Sequence, residues 1–535
     1  MDNADREEHY RSILSGQLPG AELVIGLVGS VGADLGSLVP RISSCLERYD
    51  YTTVVIRLSE LISHVVEVPD LAGASEYTRI DTMMTLGNEA RETSKDNAIL
   101  AMVASAQIYG GRTDSSPRPR HAFVINSLKH PDEVNLLRRI YGNGFFLVGV
   151  YVDPKQRHTN LLKTKDMKDS EARALMQRDE AEGVPCGQRT RDTFHLSDFF
   201  IHLDRTARQS LTRFFDVVFA DPYRTPLFDE YAMFMAFAAA TRSADLSRQI
   251  GAVIARDNEV LATGVNECPC AGGGAYWPHV TPSGEVLDTP RGRDYRRKCD
   301  SNDAEKAELV NSLVRAVEGV CAACGQEGRA ASEKAIREAI GRSPIDDITE
   351  YGRVVHAEMN ALMTCARNGI NCKGATLYST TFPCHNCAKH IIAAGITRVV
   401  YIEPYPKSRA LKFHDDAAFP GFQRDQKKGG LVAFEPFVGI GPRRFFDLFS
   451  MRQGSGFPLT RKNKDTGATV PWNRKAGTIR IPMLPSSYLQ REALVVTILK
   501  THLKGDPDGQ QPGGAGKKAS SKPKGNAGGR AKGGQ

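Results

Sequence analysis

Val354-Val-His-Ala-Glu-Met-Asn-Ala-Leu-Met363, answered further on by Phe382-Pro-Cys-His-Asn-Cys-Ala-Lys-His-Ile-Ile392, is the stretch from which the rest of the chain is read. It offers one imidazole, His356, two thiols, Cys384 and Cys387, and a carboxylate, Glu358, two residues after the histidine. Three such ligands suit zinc and leave the fourth tetrahedral position open, which separates a catalytic site from a closed structural one. A site of this kind makes a nucleophile from water, and Glu358 is placed to carry the proton. A closed site would draw on His385 or His390, but neither explains a glutamate beside the first ligand.

The flanks follow the same logic. Met359, Leu362 and Met363 recur at helical spacing, so 356–367 is expected to be a helix with His356 and Glu358 in its first turn. Ala375 to Ser379 reads as a strand, Cys384 to Ala394 as a helix ended by Gly395, and Arg398 to Ile402 as the next strand. Both cysteines then lie at a helix N-terminus, where the dipole favours thiolate over thiol.

A chain of 535 residues has material for two or three domains, and its 25% charged and 41% apolar residues are those of a globular protein. Its apolar runs are too short for a membrane span, and the first residues lack the apolar core of a signal peptide. A cytoplasmic protein is expected, with its eleven cysteines reduced or on metal rather than in disulfides. The net charge of +8 misleads about partners. Lys517, Lys518, Lys522, Lys524, Arg530 and Lys532 crowd a Gly-, Ser- and Pro-containing tail that carries no acid after Gly516. That tail, 504–535, is expected to be disordered.

Towards the N-terminus, Leu23 to Val28 reads as a buried strand running into Gly29-Ser-Val-Gly-Ala-Asp-Leu-Gly-Ser37 and then a helix. Strand, Gly-rich turn and helix make a phosphate cradle, with Gly29, Ser30, Gly32, Asp34 and Gly36 as candidate nucleotide contacts. The P-loop pattern is degenerate. Asp34, Leu35 and Gly36 stand where its second glycine, lysine and serine or threonine belong, so phosphoryl transfer is not expected. Strands at 52–57, 122–125, 145–152 and 199–203 alternate with helices, including a largely helical 77–109. This rhythm predicts a doubly wound parallel sheet. Arg173, Arg178, Arg189 and Arg191 on the following segment are candidate phosphate contacts.

A second unit begins with a helix over 227–241 and a hairpin, 251–255 with 259–264, around Arg256-Asp257-Asn258. Arg248 and Asn266 lie at its ends. A long insertion follows, holding Cys268, Cys270, Cys299, Cys321 and Cys324, whose spacing is compatible with a second, structural zinc. After the zinc helices come a strand over 431–434, a turn at Gly439-Ile-Gly-Pro442 and a helix over 443–449. The expected division is 1–220, 221–460 with its insertion at 267–350, an extension over 461–503, and the tail.

His-x-Glu followed by Pro-Cys-x-x-Cys is the general signature of zinc nucleobase deaminases. With Ser247-Arg-Gln-Ile-Gly-Ala-Val-Ile254 and Thr263-Gly-Val-Asn266, the second half resembles the deoxycytidylate deaminase family. Joined to a kinase-like P-loop unit carrying Asn126-Ser-Leu-Lys-His-Pro131 and Gly187-Gln-Arg189, it is similar to two-domain bacterial anti-phage dCTP/dCMP deaminases. The resemblance implies an α/β protein: a doubly wound kinase-like unit, then a cytidine-deaminase-like layered unit around a mixed five-stranded sheet. It implies conversion of dCTP and dCMP to dUTP and dUMP, one catalytic zinc, Glu358 as proton carrier, and Asn266 on the nucleotide sugar. Arg248 is a candidate phosphate contact on chemistry alone. A homo-oligomer is expected, with a regulatory nucleotide or nucleic acid at the first unit. Three other readings remain open: a housekeeping dCMP deaminase for thymidylate synthesis, a nucleic-acid cytosine deaminase, and a non-catalytic nucleotide-binding regulator.

Overall fold

The computed structural model describes residues 17–503 except 114–115, 181, 183, 185, 205, 324–334, 341–349 and 426–428, so the basic tail lies outside it. Five parallel strands form the heart of the first unit: β1 (Leu23–Gly29), β2 (Thr52–Arg57), β3 (His121–Asn126), β4 (Phe145–Tyr151) and β5 (Phe199–His202). Their order is β2-β3-β1-β4-β5, with β1 central. All seven residues of β1 are buried, as a strand covered on both faces requires. Leu23, Ile25 and Leu27 join one apolar cluster with α1 (Leu35–Glu47), whereas Val24 and Val28 point into the other. That second cluster takes in α2 (Glu76–Ser94), α3 (Ile99–Gly110) and α4 (Pro131–Tyr141). The expected helical stretch 77–109 is thus two helices, broken where Lys95 takes a left-handed φ of 53°. Next come α5 (Pro154–Thr164), α6 (Asp169–Glu180) and α7 (Ala207–Val218).

The second unit opens with α8 (Phe228–Ala240) and the hairpin of β6 (Gly251–Arg256) and β7 (Glu259–Val265). Asp257 and Asn258 both take positive φ, as a tight two-residue hairpin turn needs. The insertion leaves and returns at one point, because Glu267 and Val355 form an isolated antiparallel bridge. Within it lie a small hairpin of β8 (His279–Val280) and β9 (Val286–Leu287), and α9 (Ser301–Ala323). The chain continues through α10 (Ala357–Arg367), β10 (Thr376–Thr381), α11 (His385–Ala393), β11 (Arg398–Glu403), β12 (Ala418–Pro420) and β13 (Val432–Pro436). The sheet order is β12-β13-β11-β10-β6-β7, with β6 antiparallel to both neighbours and the other pairs parallel. It is mixed as expected but has six strands, the sixth being the three-residue edge β12, too short to leave a pattern.

Two features tie the units together. Gly439–Ile440, read as a turn, is a strand, β14, pairing antiparallel with β5 at the edge of the first sheet. The pairing partner lies far back in sequence, so no local signal announces it. The Ile440 N–H also donates to Glu230, whose carboxylate takes two hydrogen bonds from Arg213 on α7. Residues 479–503 then return to the first unit. Ile479 and Ile481 enter one of its clusters, while Met483, Tyr488, Val495 and Leu499, the last three on α12 (Pro485–Leu503), enter the other. Arg112, fully buried, donates to both carboxylate oxygens of Glu492 at 3.0 and 2.9 Å and also pairs with Glu22. The Tyr488 hydroxyl donates to Glu22 at 2.5 Å. No helix among the described residues is long and apolar enough to cross a membrane.

Candidate functional site

Two helix starts build the metal centre. His356 is the N-cap of α10, in extended conformation, and Cys384 is the N-cap of α11, its sulfur accepting the Cys387 N–H at 3.4 Å. The helix α10 is set by contact of glycine with backbone. A Cβ on Gly264 of β7 would lie 2.1 Å from the Ala357 carbonyl oxygen, so only glycine lets the helix press this close to the strand.

The ligand atoms of His356, Cys384 and Cys387 all lie within 4.8 Å of one another. The His356 Nδ1 is 3.3 Å from the Cys384 sulfur and 3.4 Å from the Cys387 sulfur. A tetrahedral zinc with bonds of about 2.0 Å to nitrogen and 2.3 Å to sulfur separates those atoms by about 3.5 Å. The trio therefore fits zinc in both donor chemistry and spacing. Hydrogen bonding to Cys387 and to the imidazole pulls the Cys384 thiol down to about 4, against its burial. Hydrogen bonding to Cys384 raises His356 to about 9, and sharing a proton with Cys384 pushes Cys387 upward. The Cys384 sulfur thus carries the negative charge of the trio, in the thiolate form in which a cysteine ligates metal. Glu358, in the first turn of α10, is buried, and burial pushes its carboxyl up. The Ser379 hydroxyl of β10 donates to it at 3.1 Å. Neither His385 nor His390 joins the trio; His385 packs edge-on against Phe413 near Glu350.

The other candidate contacts, Asn266 and Arg248, lie at the ends of the β6–β7 hairpin. Asn266 is buried and both ends of its amide are engaged: it accepts the Ile250 N–H and donates to the Arg248 carbonyl, each at 2.7 Å. It clamps the entry to β6. The Arg248 side chain is half exposed, 3.4 Å from Glu403 and over the Tyr405 ring at 5.7 Å. Glu403 in turn accepts the Thr381 hydroxyl at 3.2 Å, three residues before Cys384. Ser379, Thr381 and Glu403 were not singled out from sequence. Ser379 touches Glu358, and the pairing of Thr381 with Glu403 follows from β10 and β11 being parallel neighbours, although Thr380-Thr381 directly precedes Phe-Pro-Cys.

For a second metal, Cys268, Cys270 and Cys299 are free thiols, and no other group of three candidate ligands gathers among the described residues. Burial pushes Cys268 up to about 11, which keeps it a thiol. Cys324 and the Cys321 side chain lie outside the described residues.

In the first unit, Gly29, Ser30, Gly32, Asp34 and Gly36 all line one cavity of about 970 Å³. The arginines anticipated there do not. Arg173 pairs with Asp169, Arg178 with Asp81 and Glu182, and both Arg189 and Arg191 with Asp192. Acids three or four residues away, the adjacent Asp192 in the case of Arg191, or Asp81 on the neighbouring α2 capture them. The cavity instead takes Arg57, Arg79, Arg91, Lys129 and Lys165. Lys129 had passed unremarked within Asn126-Ser-Leu-Lys-His-Pro131, a hundred residues from the turn it serves.

Residues 227–403 match the model of the cytidine and deoxycytidylate deaminase zinc-binding region. The deoxycytidylate deaminase of Enterobacteria phage T4 is 30% identical over 200 residues, covering 37% of this chain and 85% of that protein. That of Mycobacterium phage D29 is 32% identical over 176 residues, covering 33% of this chain and 94% of that protein. Among solved structures, the apo dCMP deaminase of cyanophage S-TIM5 aligns with 40% of this chain and 99% of its own, at 18% identity and a TM-score of 0.20. With the His356, Cys384 and Cys387 centre and Glu358 beside it, the chain belongs to the cytidine and deoxycytidylate deaminase family.

Proposed function

We propose that this protein hydrolytically deaminates free deoxycytidine nucleotides, dCMP and dCTP, to the uracil forms. The observation that carries this reading is the trio at zinc spacing with a buried, polar-anchored carboxyl beside it. A zinc ion held by His356, Cys384 and Cys387 supplies a Lewis acid that makes water nucleophilic near neutral pH. Glu358 takes the proton from the attacking water and returns it, first to the ring nitrogen and then to the departing amine. Burial, which raises its carboxyl, suits it to hold that proton between the two transfers. Ser379 fixes the carboxyl's orientation. Asn266 holds the chain ahead of β6 so that Arg248 faces the end of β11, where a nucleotide phosphate is within reach of its guanidinium.

We further assign residues 1–220, completed by 479–503, to a kinase-like unit that binds a regulatory nucleotide through Gly29, Ser30, Gly32, Asp34 and Gly36. Residues 221–460 form the deaminase. A nucleotide-sensing unit coupled to dCMP and dCTP removal suits depletion of the deoxycytidine pool during phage infection, in a homo-oligomeric cytoplasmic enzyme. The test is incubation of the purified full chain with dCMP, dCTP, CMP, CTP and single-stranded DNA and RNA, with uracil read by chromatography. Uracil from the free deoxynucleotides, and little from the others, is expected. Uracil only in polynucleotide, or none with zinc bound, refutes the reading. Equal plating of phage on cells with active and Glu358→Gln protein refutes the defence role.

A further inference from the structure

The Gly-rich turn lacks the lysine that would stand at Leu35, yet an ammonium reaches it from elsewhere. Lys129 Nζ, arriving from the loop after β3, lies 2.9 Å from the Gly29 carbonyl oxygen. The same ammonium lies 2.7 Å from Oδ1 of Asp179, the penultimate residue of α6. The other oxygen of that carboxylate accepts the Val31 N–H of the turn at 2.7 Å. Thr190 completes the set, donating to Oδ1 at 3.1 Å, and Asp179 is fully buried. A main-chain N–H of a Gly-rich turn and a lysine ammonium are the donors that a phosphate takes in such a cradle. Here a carboxylate of the chain itself takes them. The start of α1 is likewise self-capped, the Asp34 side chain accepting the Ser37 N–H at 3.2 Å.

What holds Asp179 in place is separable from the main cores. Around α6, Met84, Leu161, Met167, Ala172 and Leu175 form a small cluster of their own, with Val31 packed against it. Further ties are polar: Arg178 with Asp81 and Thr85, His158 with Asp169, and the buried Arg157 with the half-exposed Glu180. Such a segment opens at lower cost than the sheet behind it. Alongside lies the cavity of about 970 Å³, within the size range of nucleotide sites, lined by five cations against the three acids Asp34, Glu60 and Glu133.

We propose that Lys129 and the Val31 N–H form an anion seat, that Asp179 fills it in the resting protein, and that a nucleoside di- or triphosphate binds by displacing α6 from it. This rests on the reading of the first unit as a nucleotide binder, and names what that binding must overcome. The displaced carboxylate also releases Thr190, which opens the helical turn Thr190–Phe194. The next residue, His195, lines a crevice with Thr380, Thr381 and Glu403 of the deaminase sheet, so the seat and that end of the deaminase sheet are joined by one short segment.

Pyrophosphate binding to the full chain, measured by calorimetry, tests the seat without engaging base or sugar sites. A carboxylate that competes for the seat lowers apparent affinity by the fraction of time it occupies it, so Asp179→Asn binds on the order of tenfold or more tighter than wild type. Lys129→Met abolishes that gain in either background. In wild type, saturating pyrophosphate speeds amide exchange along α6, and this measurement stands even if the Asp179 variants fold poorly. If wild type binds and Asp179→Asn binds no better, or exchange in α6 is unchanged, the self-occupied seat is wrong while the nucleotide reading survives. If neither wild type nor Asp179→Asn binds pyrophosphate or ATP, both are wrong.

Discussion

Arg112→Met removes a charge from the most enclosed polar cluster of the first unit while keeping most of the side-chain volume. Arg112 lies between Glu22 and Glu492 with all three side chains fully buried, and the Tyr488 ring is 5.4 Å from its guanidinium. Without it, two acids face each other with no counter-ion, and breaking a buried pair in this way costs about 3–5 kcal/mol. For a unit of this size that is a fall in melting temperature of roughly 6–20 °C, taking about 2–4 °C per kcal/mol. The sign of the pH dependence follows. Burial holds the Glu492 carboxyl above its usual range even with Arg112 present. In the variant, burial without the Arg112 counter-ion raises the folded-state pKa of Glu492 further above the unfolded value. A group raised in this way favours the fold below its unfolded pKa and loses that contribution as pH rises through the folded one. The deficit against wild type is therefore largest near pH 8 and shrinks towards pH 5. Urea unfolding of the full chain followed by circular dichroism at pH 5.5, 7 and 8 reads both effects. A deficit under about 1 kcal/mol, or one that does not change between pH 5.5 and 8, refutes the claim that this cluster fastens α12 to the first core.

Glu358→Gln keeps the shape of the carboxyl but cannot cycle a proton, so turnover on dCMP falls by about two to four orders of magnitude while bound zinc, read by metal analysis, is retained. Cys387→Ser replaces a thiolate ligand by a hydroxyl; zinc per chain drops well below wild type, and wild type stripped with a chelator regains activity on adding zinc. Gly264→Ala has no room for its methyl, 2.1 Å from the Ala357 oxygen and 2.5 Å from the Ala361 nitrogen, so α10 must move. A loss of about 1–3 kcal/mol is expected in thermal melts, with lower zinc content because His356 begins that helix.

What was legible in the sequence was local. His356, Glu358, Cys384 and Cys387 stand at spacings that only need two helix starts to become a site, and both helices begin within one residue of the expected position, with His356 and Cys384 as their N-caps. The central strands of both sheets were readable because continuous apolar runs such as Leu23–Val28 have few alternatives. The failures share a cause. Lys129 meets the Gly-rich turn, β14 meets β5, and Glu492 meets Arg112 across separations that no period or turn signal spans. The arginines of 173–191 were misplaced for a related reason: charge alone says nothing about which acids α6 and α2 will bring beside them.

The β14 strand and α12 have a consequence for how the chain is made. When β5 leaves the ribosome the first sheet has an unpaired edge at Phe199–Phe200, and the seat for Met483, Tyr488, Val495 and Leu499 is bare apolar surface. Neither is covered until residues 439–503 have emerged, roughly 15–60 s later at about 5–20 residues per second. During that interval the nascent chain offers both an open strand edge and an apolar groove, the two surfaces most prone to wrong pairing. The N-terminal half is thus the first to be synthesised and among the last to be finished, and a ribosome stalled within the deaminase leaves it incomplete.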